Sequence, residues 1–353
     1  MQDVKAPPKL DYLFLAGMGL LTLISVVTLY AIIPSIFPLY FLYIVLGLLA
    51  FFLLLPLDFE IVSIFARHMY IASLILLILP IFIGQVTRGA IRWIPIGPLT
   101  IQPGELVRPM LLVFFANYLT KKELDAKTLI RALALLAVPV FLIVIQPSLG
   151  VAVLTVIGFV GVLLASTFEK KYVLWGVLGL ALLIPLGWLI LAPYQKQRVL
   201  TFLEPSKDPF GTGYNAIQSM ISVGSGKLFG RGLGKGVQTQ LAFLPERHTD
   251  FIFASIAEEL GFVGGFLVLA TIFFVLSRLV KFLEIAQSLA ARAFISGFFL
   301  TLFAQVLVHI GMNLGLLPIT GVPLPLVSAG GSSFLATMIG LGIALGARRK
   351  VEA

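Results

Sequence analysis

Apolar runs about as long as a bilayer core is thick recur along the chain, at 12–33, 39–55, 69–85, 105–119, 129–145, 149–166, 172–192, 250–276, 293–312 and 327–347. A helix needs about 20 such residues to cross the hydrocarbon layer, and lipid admits helices because their backbone polar groups are satisfied internally. The pattern predicts an all-α integral membrane protein with ten transmembrane helices. The fourth run holds Glu105, Arg108 and Asn117, so it is expected to face protein or a cavity rather than lipid. One long polar stretch, 193–249, interrupts the pattern and is read as a large loop between helices 7 and 8. Nothing else is long enough for a second domain, so 1–353 is read as a single polytopic membrane domain.

Composition agrees: 59% of residues are hydrophobic, 12% are charged, and mean hydropathy is +1.06. With zero cysteines and three scattered histidines, a disulfide framework, a thiol nucleophile and a zinc site are not expected. The first run lacks a small-residue cleavage site after Lys5 and Lys9 and is expected to stay as a helix.

Positive charge sets the expected orientation, because cytoplasmic loops carry the excess of Lys and Arg. An even helix count puts both termini on one side. With that side cytoplasmic, the inner segments hold Lys5, Lys9, Arg67, Lys121, Lys122, Lys127, Arg131, Lys170, Lys171, Arg278, Lys281, Arg292, Arg348, Arg349 and Lys350. The outer connections 34–38, 146–148 and 313–326 hold no basic residue. The exceptions are Arg88, Arg92 and Arg108 around the third and fourth runs, and Lys196, Arg198, Lys207, Lys227, Arg231, Lys235 and Arg247 in the large loop. A long loop translocates whatever its charge, but Arg88 and Arg92 sit in a short connection. The net charge of +9 is split between the two faces, so no nucleic acid is expected as partner. An anionic lipid headgroup or diphosphate at the outer surface fits better.

Three stretches carry candidate chemistry. In 243–253, acids and bases crowd the entrance of the eighth helix; Thr249 and Asp250 directly precede it, which makes an ordinary N-cap the plain reading of Asp250. His248 beside it could move a proton or simply hydrogen-bond. In 222–236, six glycines interleave with Lys227, Arg231 and Lys235; such backbone could wrap a phosphate, although no strand precedes it and the spacing is not that of a nucleotide loop. Residues 214–221 read as an interfacial helix. The segment 318–333, rich in proline and glycine, cannot be regular helix and must line a cavity or be shielded. Glu258 and Glu259, two to three turns into a transmembrane helix, must be paired or protonated, as structural or cavity-lining acids. Glu105 and Arg108 are three apart on one helix face, which allows a local ion pair as well as a cavity role. His309 is expected to bridge helices.

The stretches Tyr194-Gln-Lys-Gln-Arg-Val, Phe202-Leu-Glu-Pro, Asp208-Pro-Phe-Gly-Thr-Gly-Tyr, 224–232, Gln238-Thr-Gln-Leu and 243–253 resemble the SEDS (shape, elongation, division, sporulation) proteins. So do Gln102-Pro-Gly-Glu105, Gln146-Pro-Ser-Leu-Gly150 and 313–333. Their wording looks more like the elongation branch than its division paralogue. The resemblance implies a peptidoglycan glycosyltransferase that polymerises lipid II at the outer face of the cytoplasmic membrane during cell elongation and shape maintenance. It also implies a class B penicillin-binding protein as transpeptidase partner and undecaprenyl diphosphate as the departing lipid. Asp250 occupies the family's essential aspartate position, as general base or as ligand of a divalent metal; no cofactor is otherwise expected. Substrate contacts are expected from Arg88, Arg92, Glu105, Arg108, Lys227, Arg231, His248 and Ser328. Arg108 is often lysine in the family, which preserves charge. Ser148 stands where the family usually has an aspartate, so only Gln146 and Gly150 carry over from that motif. The rival readings are a flippase for the lipid-linked precursor, which would hold a mid-depth polar site between inverted repeats, and a non-catalytic scaffold.

Overall fold

The computed structural model describes residues 10–87, 90–121, 125–166, 193–204 and 213–348. Arg88 and the expected span at 172–192 lie outside these residues. In chain order the elements are α1 (Tyr12–Ile32), α2 (Leu39–Leu54), α3 (Phe59–Ile64), α4 (Ala66–Ile83), β1 (Gln85–Thr87), β2 (Ala90–Ile96) and β3 (Leu99–Ile101). They continue as α5 (Pro103–Thr120), α6 (Ala126–Ile145), α7 (Leu149–Ala165), α8 (Pro193–Leu203), α9 (Tyr214–Ser225), α10 (Val237–Gln240), α11 (Ile252–Glu284), α12 (Leu289–Asn313) and α13 (Gly331–Gly346).

Among the described residues α1, α4, α6, α11 and α12 are long and apolar enough to cross a membrane, and α2, α7 and α13 are shorter apolar helices. The outward faces of α1, α2 and α6 stay apolar, with Leu13, Leu23, Phe52, Leu53 and Phe141 exposed. That is the surface lipid would cover. Helices α5 and α13 are enclosed on nearly all sides. Helix α5, the one carrying Glu105 and Arg108, packs against α4, α7, α12 and α13.

One correction concerns the all-α reading. The connection after α4 is an antiparallel sheet, order β1-β2-β3, pairing Gln85 with Trp93 and Ile94 with Ile101. Gly97, at φ +59°, makes the β2–β3 turn. Tyr43 of α2 fixes the sheet to the bundle: its hydroxyl donates to the Thr100 carbonyl (2.8 Å) and accepts from the Thr100 N–H (2.9 Å).

The glycine-rich 222–236 also departs from the phosphate-wrapping expectation. Gly261, at φ 70° and ψ −165°, breaks α11. The backbone groups freed at the break are taken up by the loop: Arg231 N–H donates to Glu258 O and Gly232 N–H to Glu259 O (both 2.9 Å), while Phe262 N–H donates to Lys227 O (2.8 Å). A Cβ at Gly226 would lie 1.7 Å from the Ala257 carbonyl oxygen, so only glycine lets the two backbones meet. These N–H groups therefore satisfy a broken helix. Glu258 and Glu259 belong to the same clamp. Glu258 accepts from the N–H groups of Gln238 and Thr239 (both 2.9 Å) and from the Thr239 hydroxyl, and Glu259 accepts from Gln240 Nε2 (2.9 Å).

The bundle's two ends differ in chemistry. At one end Asp11 caps α1 through Phe14 N–H (3.0 Å) and pairs with Arg278, while Arg348 stacks over Phe282, 4.7 Å from its centroid. Burial works to raise the Asp11 pKa, but the Arg278 and Phe14 hydrogen bonds outweigh it and hold the carboxyl below the usual range. Arg67, Lys121, Lys127, Arg131, Lys281 and Arg292 belong to helix ends on this same side. The starts of α2, α5, α11 and α13, the sheet and the end of α12 gather at the other end.

Candidate functional site

A cavity of about 280 Å³ opens among those converging helix ends. Tyr40 and Tyr43 of α2, Arg92 and Trp93 of β2, and Gln102 and Glu105 of α5 form part of its wall. His248, Thr249 and Asp250 enter from the approach to α11, and Gly321, Pro323 and 329–333 complete it. Its lining mixes aromatic rings with charged and hydroxyl side chains, a combination suited to a sugar-sized ligand.

Asp250 is half-buried at this wall. The expected N-cap role is not what places it there: the N-cap of α11 is Phe251, and no side chain of the cap residue bonds the helix. Residues 246–251 coil tightly first. Glu246 takes φ +53°, and its carbonyl accepts the N–H groups of Thr249 (3.1 Å), Asp250 (3.1 Å) and Phe251 (3.2 Å). The Thr249 hydroxyl turns to Glu246 Oε2 (3.1 Å). Gly321, at φ +68°, faces the acid: a Cβ there would lie 3.4 Å from Asp250 Oδ2.

The proline- and glycine-rich segment is stapled to the Asp250 turn. Ser328 Oγ donates to Thr249 O (2.7 Å) and accepts from Leu324 N–H (2.8 Å), and Ala329 N–H donates to His248 O (2.9 Å). Ser328 is 3% exposed and lies behind the cavity wall, so it holds the site's shape rather than touching an occupant. Ser328→Ala removes one donor and strands one buried N–H, at a cost of about 1–3 kcal/mol. The thermal midpoint should fall by several degrees, with Ser328→Thr falling less; equal midpoints for the alanine variant and wild type would show that the staple carries no stability.

Below the cavity floor runs a buried polar chain. Glu105 and Arg108, 2% and 5% exposed, form an ion pair. Arg108 Nη1 donates to Gln305 Oε1 (3.1 Å), and Gln305 Nε2 donates to Pro323 O (2.8 Å) and Ser333 Oγ (3.3 Å). Four elements are thus fixed around Glu105, which lines the cavity, while Arg108 acts through it from outside. Gln102 N–H donates to Ser332 Oγ (2.8 Å), and its Nε2 donates to Ser148 Oγ (3.3 Å). Ser148 thereby takes a hydrogen-bonding place beside the site. Gln146 donates to the Leu77 carbonyl, and a Cβ at Gly150 would lie 2.5 Å from Val322. His309 Nδ1 meets the Val322 carbonyl (2.8 Å), which ties α12 to the 318–330 segment.

The cavity brings together Arg92, Glu105, His248 and Asp250. It does not include Lys227 and Arg231, which are exposed on the glycine-rich clamp, where Arg231 Nε donates to Ser225 Oγ (3.2 Å). Among the described residues no three His, Cys, Asp or Glu side chains group to hold a metal ion. A divalent ion at Asp250 would have to complete its oxygen shell from phosphate and water. Sequence reading passed over Tyr43, Trp93, Gly321 and Asn313. Trp93 adjoins Arg92, and Gly321 and Asn313 lie in the 313–333 stretch, so position alone marked them.

The FtsW/RodA/SpoVE family model, described as "Cell cycle protein", matches residues 10–352. The chain is 40% identical over 283 residues to the peptidoglycan glycosyltransferase MrdB of Escherichia coli (strain K12), covering 79% of this chain and 76% of that protein. It is 40% identical over 290 residues to the probable peptidoglycan glycosyltransferase FtsW of Pseudoalteromonas translucida, covering 79% and 71%. Among solved structures, a chain described under "Structural coordination of polymerization and crosslinking by a peptidoglycan synthase complex" aligns with TM-score 0.82 and 34% identity over 96% of this chain and 97% of that one. The rod shape determining protein RodA of Thermus thermophilus aligns with TM-score 0.71 and 30% identity over 98% and 99%.

Proposed function

Because this chain belongs to the FtsW/RodA/SpoVE family, we infer that it is a peptidoglycan glycosyltransferase whose sugar-joining step takes place in the cavity around Asp250. One observation carries this reading: a carboxylate and an arginine share a sugar-sized cavity at the end of the bundle away from Arg278 and Arg348.

By the positive-inside rule the end with Arg67, Lys127, Arg131, Arg278, Lys281 and Arg348 is cytoplasmic, so the cavity opens at the outer face of the cytoplasmic membrane. A lipid-linked saccharide presents its diphosphate and sugars at that depth. The substrate is lipid II, as donor and acceptor. The acceptor's 4-hydroxyl attacks the donor's anomeric carbon; the new C–O bond forms as the bond from that carbon to the diphosphate oxygen breaks. The hydroxyl proton passes to Asp250, and undecaprenyl diphosphate leaves with the electron pair, with inversion at carbon. Arg92 faces the same space and suits the negative charge growing on the diphosphate. Tyr43 and Trp93 offer rings against which sugar faces pack.

A carrier would hold its polar site at mid-depth between paired broken helices. Here the cavity lies among helix ends, which favours surface chemistry over transport. A role in elongation and shape rests on the wording of 238–250 and on the likeness to RodA. The partner is a class B penicillin-binding protein that crosslinks what this chain polymerises, by analogy with the synthase complex.

Purified in detergent with that partner, the protein should convert lipid II into glycan chains. Transfer of lipid II between the leaflets of vesicles without any joining of sugars would overturn the reading in favour of a carrier.

A further inference from the structure

Helix α11 starts without a side-chain cap from its N-cap residue, Phe251, and the Thr249 hydroxyl is turned to Glu246. The first N–H groups of a helix need acceptors from elsewhere. The nearest carboxylate in sequence, that of Asp250, would serve them well and would leave the cavity in doing so.

A residue from another helix takes the task instead. Asn313, the last residue of α12, is fully buried. Its Oδ1 accepts from the Ala254 N–H of α11 (3.0 Å), and its Nδ2 donates to the carbonyls of Asp250 (3.0 Å) and His309 (2.7 Å). Ser219 of α9 donates to Asn313's own carbonyl (2.8 Å) and fixes it from behind. An amide carries donor and acceptor on one rigid plane, and two carbonyls on one side with an N–H on the other leave a single way to orient it. Residue 250 is then held from both sides, its N–H on Glu246 O (3.1 Å) and its carbonyl on Asn313. Those two bonds fix where its side chain leaves the backbone.

We propose that Asn313 is a positioning residue for the reaction: it caps α11 in place of Asp250 and locks the Asp250 backbone so that the carboxylate faces the cavity. The inference rests on the reading of Asp250 as the group that takes the proton. It assigns Asn313 no contact with substrate.

The test uses the full chain with its partner, measuring kcat and KM on lipid II together with thermal midpoints for Asn313→Ala, Asn313→Asp and Asp250→Asn. Asn313→Ala should lower kcat by about 100-fold, the scale on which a misplaced catalytic group costs rate, with KM within about three-fold of wild type. Asn313→Asp keeps the acceptor for Ala254 but loses the amide donor to Asp250, so it should still lose most of kcat. Wild-type kcat in Asn313→Ala overturns the proposal. So does a rise in KM that matches the fall in kcat, the mark of general damage. Restored kcat in Asn313→Asp would overturn it too, because capping alone would then suffice. Should Asn313→Ala fail to fold, Asn313→Asp decides alone. Full activity in Asp250→Asn would remove the reading of Asp250 and this inference with it; loss there with wild-type Asn313→Ala would remove only the inference.

Discussion

Asp250→Asn should abolish polymerisation, with a rate loss on the order of 1,000-fold, the scale of a missing general base, while lipid II still binds. The amide matches the carboxylate in shape but cannot take the proton from the attacking hydroxyl. Little stability should be lost, because the start of α11 is capped by Asn313. The thermal midpoints of Asp250→Asn and Asp250→Ala are therefore expected within a few degrees of wild type, which separates lost chemistry from lost fold. A carboxylate can also serve as ligand to a divalent ion that a diphosphate carries. Wild-type turnover that disappears with chelator and returns with magnesium would give Asp250 the ligand's role; activity retained in Asp250→Asn would take the proton from it altogether.

Arg108→Ala should produce the largest loss of stability. It leaves Glu105, 2% exposed, without its counter-ion, and leaves the Gln305 carbonyl without its donor. Breaking a buried pair from one side costs about 3–5 kcal/mol, because the surviving charge stays buried. The thermal midpoint should fall by on the order of ten degrees. Turnover should fall with it, since Glu105 lines the cavity. Arg108→Lys keeps the charge but not the two-pronged geometry, so a smaller loss is expected. Pairing Arg108→Met with Glu105→Gln should recover part of the stability, since no unpaired ion remains. A single Arg108→Ala variant that melts with wild type would show that the chain from Glu105 to Ser333 is not a stabilising unit.

Much of the bundle was legible because lipid enforces one rule on a helix, a long apolar run, and α1, α4, α6, α11 and α12 obey it. The sheet was not legible. Strands of three, seven and three residues are too short to show their period against an apolar background, and the Gly97-Pro98 turn was the only sharp local sign. The glycines of 222–236 announced an unusual backbone correctly but not its partner, because the break at Gly261 that they serve lies 25 residues beyond. Asp250 shows the same limit in the other direction. Local spacing makes it a cap, and only the distant Asn313 removes that duty. Lys227 and Arg92 look alike as outer-face cations, yet the fold seats Arg92 at the cavity and Lys227 on the clamp. Long-range pairing decides these cases, and composition carries no trace of it.

The chain holds zero cysteines, so one introduced thiol reports without background. Thr249→Cys places it on the cavity wall while leaving the backbone carbonyl that Ser328 bonds. In intact cells stripped of their outer layers, a membrane-impermeant maleimide should label this thiol, and lipid II added to the purified variant should slow the labelling. Labelling only after the cytoplasmic face is opened, or a rate that lipid II leaves unchanged, would contradict the placing of sugar transfer in this cavity at the outer surface.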